Sequence, residues 1–101
     1  KFSFDNVKID FIKMTAFIDE KEIRFTKKEF SILHYFIQHE GEVVHRHDLL
    51  DEVWGYDKMP STRTVDNSIL EIRKKIEKIP SNPKHIISIS GVGYRFISGN
   101  V

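Results

Sequence analysis

Through the first 25 residues apolar side chains alternate with polar ones, and from residue 26 they recur at every third or fourth place. Alternation buries one side of an extended strand, whereas three-and-four spacing buries one side of a helix. Four apolar sets read as strands: Phe2 and Phe4, then Val7 and Ile9, then Met14, Ala16 and Ile18, then Ile23 and Phe25. Asp5-Asn6 and Asp19-Glu20-Lys21 fall between sets, where polar residues favour turns. The pattern predicts a small antiparallel sheet with one buried face.

The switch to helical spacing carries a strong start signal. Thr26 and Glu29 stand in a capping-box relation, the hydroxyl serving the third helical N–H and the carboxylate reaching back to the cap. Phe25 and Phe30 occupy the two positions of a hydrophobic staple. Phe30, Leu33, Phe36 and Ile37 supply the buried face, and Gly41 the stop. A second short helix is expected from Arg46 to Trp54, burying Leu49, Leu50, Val53 and part of Trp54 before Gly55. After the 55–61 loop a third helix begins, capped by Ser61 or Thr62, and runs over about 62–79 to Pro80. Residues 86–97 read as two strands about a glycine-rich turn, a β-hairpin.

The third helix divides cleanly into two sides. Val65, Ile69, Ile72, Ile76 and Ile79 fall in one stripe when wound at about 100° per residue. Arg63, Asn67, Leu70, Glu71, Lys74 and Lys78 fall on the other. An ordinary amphipathic helix is polar throughout its outer face, so a leucine between Asn67 and Lys74 hints at a partner.

Composition narrows the class. The 101 residues suffice for one domain spanning 1–101, with a single core. With no cysteine, neither disulfides nor thiolate metal sites hold it together, which suits a cytoplasmic home. No run of about 18 apolar residues occurs, so no membrane-spanning helix is expected. The net charge of +1 hides a gradient: from Lys58 to Lys78 six basic residues face three acids. A mildly basic end fits a polyanion.

Other chemistries fit poorly. Gly91 and Gly93 are followed by a strand, whereas a phosphate-cradling loop needs a helix there. His39, His45 and His47 lack a partner ligand at metal spacing, and His45 stands where a helix cap belongs. No nucleophile, base and orienting group form a set, so no enzyme, no cofactor and no metal site are expected.

Six motifs in order then carry a resemblance: Phe25-Thr-Lys-Lys-Glu-Phe30, Gly41-Glu-Val-Val44, Leu49 through Val53-Trp-Gly55, Arg63-Thr-Val-Asp66, Arg73-Lys-Lys-Ile-Glu77 and Gly91-Val-Gly-Tyr-Arg-Phe96. Together they cover about Phe4 to Phe96, and the chain resembles the winged-helix effector domain of OmpR/PhoB-type response regulators. The resemblance implies an α+β winged helix-turn-helix: an N-terminal four-stranded antiparallel sheet, a three-helix core and a C-terminal β-hairpin wing. It implies a third helix in the DNA major groove and a wing, about 86–97, along the minor groove.

On that footing each candidate contact has a chemistry. Arg63 and Thr64, at the helix start, can reach a phosphate through a guanidinium and backbone N–H groups. Asn67 can pair with adenine N6 and N7, and Leu70 can pack on a thymine methyl. Glu71 can accept from a cytosine amine or pair with Lys74 or Lys75. Lys74 faces the phosphates, while Arg73, at the flank, reaches either a phosphate or an acid such as Asp66. Trp54 is chiefly a core residue whose indole N–H can serve a phosphate, as the resemblance implies. In the wing, Ser88, Ser90 and the Tyr94 hydroxyl are the candidate backbone contacts. Members often carry cations where this chain has Leu70, Glu71 and Ser90, which lowers the expected affinity.

The implied partners are double-stranded DNA, in direct-repeat half-sites, and RNA polymerase through the 55–61 loop. Such domains normally follow a phosphorylatable receiver, absent from these 101 residues. A monomeric isolated domain within a homodimeric full-length regulator is therefore expected. The rival from another class is a winged helix used as a protein-docking module, with Leu70 and Glu71 facing a protein. A basic, sequence-blind nucleic-acid binder is a third reading.

Overall fold

The computed structural model describes residues 1–55 and 60–100. Most of the loop expected to meet RNA polymerase therefore lies outside the described residues. Four short strands open the chain: β1 (Phe2–Phe4), β2 (Val7–Asp10), β3 (Thr15–Ile18) and β4 (Lys21–Ile23). They pair antiparallel in sequence order, with Phe4 opposite Val7 and Ile9 opposite Ala16. Those four side chains form the buried face. The turn from β3 to β4 holds two residues, Asp19 and Glu20, at φ of 52° and 69°. A two-residue turn with positive φ at both places normally takes Asn or Gly there, so the Glu20 backbone carries strain here. Met14 lies outside the strand expected to hold it, exposed at a φ of 55°.

The first helix, α1 (Lys27–Gln38), starts as its sequence dictates. Thr26 Oγ1 accepts from the Glu29 N–H at 3.1 Å, and Glu29 Oε1 accepts from the Thr26 N–H at 2.8 Å. The staple rings of Phe25 and Phe30 meet edge to face, 5.4 Å apart. Phe30, Ile32, Leu33 and Phe36 are buried, with Ile37 only half-buried. The next helix begins regularly as α2 (Arg46–Leu49) and relaxes into a wider π-helical turn over Leu50–Trp54, stopped by Gly55 at a φ of 60°.

The third helix, α3 (Thr62–Ile76), ends a turn earlier than its apolar stripe suggests. Val65, Ile69, Ile72 and Ile76 are buried, but Ile79 is 58% exposed. Glu77 explains the early stop. It leaves the helix in an extended conformation, and its buried carboxylate accepts the N–H groups of Lys84, His85 and Ile86. One side chain thus folds the 77–86 connection back towards the last strands.

The C-terminal strands are β6 (Ile86–Ile89) and β7 (Gly93–Phe96). They form the expected hairpin, but a third strand joins them: β5 (Val43–His45) pairs with β7, which becomes the centre of the order β5-β7-β6. Phe96 and Tyr94 point from β7 into the core, where the Phe96 ring meets Phe4 edge to face at 5.3 Å. Both sheets and α1, α2 and α3 therefore contribute to one hydrophobic cluster. Among the described residues no helix is long and apolar enough to cross a membrane.

Candidate nucleic-acid interface

Because α3 buries one stripe, its far side is free. Arg63, Asn67, Leu70, Glu71 and Lys74 are all exposed there, at offsets that keep them on one helical face. Leu70 is 52% exposed, an apolar patch between polar neighbours. Glu71 and Lys74 pair at 3.0 Å, so part of this face is internally neutralised. Arg63 makes no ion pair among the described residues and stands in the first turn of the helix. Thr64 is half-buried, its Oγ1 accepting from the Ser61 N–H at 3.4 Å as part of the start of α3.

Two expected contacts, Arg73 of α3 and Tyr94 of the wing, are engaged within the protein. Arg73 is buried: its Nε and Nη2 donate to the Ile86 carbonyl at 3.1 and 2.7 Å, and Nη2 donates to Ser88 Oγ at 2.9 Å. Its guanidinium also covers the Tyr94 ring at 5.5 Å. Arg73 therefore braces the wing, and not Asp66, the acid considered for it from sequence. Tyr94 is 5% exposed and donates its hydroxyl to Asp66 Oδ1 at 2.5 Å. The same oxygen accepts from Arg46 Nε at 2.9 Å.

The wing presents Ser88 and Ser90 to solvent. Its turn is closed by the Val92 N–H donating to the Ile89 carbonyl at 3.0 Å, with Gly91 at a φ of 73°. The turn is tied to the head of α2 by the Arg46 N–H, which donates to the Val92 carbonyl at 3.3 Å. Trp54 is half-buried, with Lys28 Nζ 5.4 Å above its ring.

The basic stretch is less available than its sequence implies. Besides Arg73 and Lys74, Lys75 pairs with the buried Glu29 at 2.7 Å, and Lys78 lies 3.7 Å from Asp5. Most of these cations hold elements together or offset a neighbour, leaving Arg63 as the clearest candidate for a phosphate. Sequence reasoning also missed Arg46, which joins α2 to α3 from 20 residues away. Only its pairing in space with Asp66 distinguishes it from other surface arginines.

Burial and the hydrogen bond to Asp66 push the Tyr94 phenol up to about 12 from an ordinary 10.0, against the opposing charge of Arg46. The folded protein thus favours the protonated phenol. Its stabilising contribution is complete below pH 10, declines as pH rises towards 12 and is lost above that. The stability gap between the wild type and Tyr94→Phe should narrow over that window in denaturant titrations. A constant gap would mean that the phenol titrates alike in both states.

The fold that carries these residues is that of a known family. The family described as "Transcriptional regulatory protein, C terminal" matches residues 20–96, and the chain belongs to it, as an OmpR/PhoB-type winged-helix DNA-binding domain. The response regulator DrrB of Thermotoga maritima, an OmpR/PhoB homologue, is 42% identical, with a TM-score of 0.86 over 95% of this chain. The chain spans 43% of DrrB's length. The Klebsiella pneumoniae RstA DNA-binding domain, solved in complex with the RstA box, is 27% identical, with a TM-score of 0.81, over 96% of each chain. The DNA-binding domain of CpxR from E. coli is 26% identical, with a TM-score of 0.80, over 98% of this chain and 97% of that one.

Proposed function

We propose that this domain binds double-stranded DNA sequence-specifically, as the effector part of a two-component response regulator that controls transcription. The observation that carries the reading is the exposed row Arg63, Asn67, Leu70, Glu71 and Lys74 on a helix whose other side is fixed in the core. B-DNA's major groove admits one α-helix, and a helix held by its back presents such a row without further adjustment. Arg63 and Lys74 take phosphates, Asn67 an adenine edge and Leu70 a thymine methyl. Ser88, Ser90 and the wing turn lie at the adjacent minor groove. Trp54 serves a phosphate from the rim.

One copy presents a small reading face with few unpaired cations, so a single site gains little over non-specific binding, about 10⁻⁴–10⁻⁶ M. Two copies on direct-repeat half-sites, about 10–10.5 base pairs apart, meet the same DNA face and bind usefully. In the whole regulator an upstream receiver supplies the dimer contact, and RNA polymerase meets the 55–61 loop. The isolated domain is monomeric.

Affinity measured against salt tests this reading. With Arg63 and Lys74 as the two cationic phosphate contacts, log affinity falls against log salt with a slope of about −2. Arg63→Ala weakens binding to all duplexes and makes the slope shallower by roughly one unit. An unchanged slope in the variant removes Arg63 from the phosphate contacts. The neutralised Glu71–Lys74 pair beside exposed Leu70 favours a second reading, a protein-docking face. Salt-indifferent binding to a protein, without duplex binding, would establish it.

A further inference from the structure

We propose that Asp66 is a positioning residue that sets the wing against the reading helix, and that the Tyr94 hydroxyl acts through Asp66 and not on DNA. The proposal rests on the DNA-binding reading above for its consequence, but its geometry belongs to the free domain. Asp66 Oδ1 accepts from two elements at once: Arg46 Nε at the head of α2, and the Tyr94 hydroxyl in the middle strand of the wing sheet. Seven residues further along α3, Arg73 donates to the Ile86 carbonyl and Ser88 Oγ of β6 and covers the Tyr94 ring. Seven residues make about two turns, so both side chains issue from one side of α3, about 10 Å apart along it. Besides its pairing with β5, the wing is therefore gripped by α3 at two points of opposite charge, with the Tyr94 ring between them.

Pairing with β5 holds one edge of β7, and the two contacts from α3 add a fixed register and tilt of the wing along that helix. Charge assistance makes the Asp66 end directional, because a carboxylate oxygen accepts strongly from both a phenol and a guanidinium. The distance between the row read in the major groove and the wing turn is then a property of the folded domain and not of the DNA. Preorganisation of this kind strengthens binding by removing the cost of ordering the wing on association. Arg46 adds a third constraint, since its own N–H also holds the Val92 carbonyl at the wing turn.

The test uses the 101-residue domain with Tyr94→Phe, Asp66→Ala, both together, and Asp66→Asn. In the free protein, amide exchange at Val92, Tyr94 and Arg95 is measured beside the melting temperature. Tyr94→Phe keeps the ring and is expected to melt cooperatively while these wing amides exchange about tenfold faster. Duplex affinity in Tyr94→Phe is expected to fall about five- to tenfold, with no further fall when Tyr94→Phe is added to Asp66→Ala. Asp66→Asn, which keeps a carbonyl acceptor for the phenol but not the charge, should restore about half of the affinity lost in Asp66→Ala. Additive losses in the double variant would mean that Tyr94 touches DNA itself and would overturn the proposal. Unchanged wing exchange in Tyr94→Phe would overturn it as well. If no variant, nor the wild type, binds duplex, the DNA reading fails while wing exchange still decides the latch. If Asp66→Ala does not fold, Tyr94→Phe decides it by the same exchange measurement.

Discussion

Replacing Gly93 with alanine is expected to cost roughly 3 kcal/mol or more, at the upper end of what overpacking does and enough to remove much of a small domain's stability. An added Cβ would stand 2.0 Å from the Val44 carbonyl oxygen and 3.0 Å from the His45 Cα. Both neighbours are backbone atoms of β5, and Gly93 sits in the middle strand of its sheet, opposite His45. Neither strand can withdraw without losing the pairing that seats Tyr94 and Phe96 in the core. Two residues earlier, Gly91 has open space around it and a φ of 73°. Gly91→Ala should therefore cost only about 1 kcal/mol, for backbone strain alone. Urea denaturation of the two variants checks the contrast; equal losses would contradict the close strand packing.

Glu77→Ala is the second large effect. The buried carboxylate accepts three consecutive backbone N–H groups, from Lys84 at 2.8 Å, His85 at 3.1 Å and Ile86 at 2.9 Å. Alanine leaves those donors facing protein without an acceptor. Each unsatisfied buried donor costs about 1–3 kcal/mol, so a loss of about 3 kcal/mol is expected, allowing for water reaching Lys84. Glu77→Gln keeps one carbonyl oxygen and should lose about half as much, since the charge assistance goes with the carboxylate. Equilibrium denaturation measures both. A loss under about 0.5 kcal/mol for Glu77→Ala, the size of an ordinary surface change, would mean that the 77–86 connection is held by other contacts.

The same residues explain what the sequence could and could not disclose. The capping box at Thr26 and Glu29, the Phe25–Phe30 staple and the apolar stripe of α3 are local, so spacing alone reveals them. The end of α3 was overrun because Ile79 continues the stripe, while the interaction that stops the helix reaches Ile86, nine residues from Glu77. β5 was missed because three residues give no period, and its partner lies at the far end of the chain. In the sequence Gly91 and Gly93 look like two turn glycines, yet of the pair only Gly91 needs the left-handed backbone; Gly93 is required by the closeness of Val44.

The candidate site divides in the same way. Its exposed row was legible because helical phase alone decides which way Arg63, Asn67, Leu70, Glu71 and Lys74 point. The basic character of 58–78 was not, because long side chains find partners that a charge count cannot see. Arg73 is turned to the wing and Lys75 to Glu29, 46 residues away. Likewise Arg46, Asp66 and Tyr94 form one hydrogen-bonded group from three separate elements.

Selection of bound duplexes from a random pool, run in parallel for the wild type and Asn67→Ala, tests the central claim that the outer face of α3 reads DNA. The wild type should enrich a short motif, recurring in direct repeat at about 10–10.5 base pairs. Asn67→Ala should lose preference at one base pair of that motif, with about 1–3 kcal/mol lost on the favoured site. Recovery of the same motif with the same preferences by both proteins, or of no motif by the wild type, would contradict it.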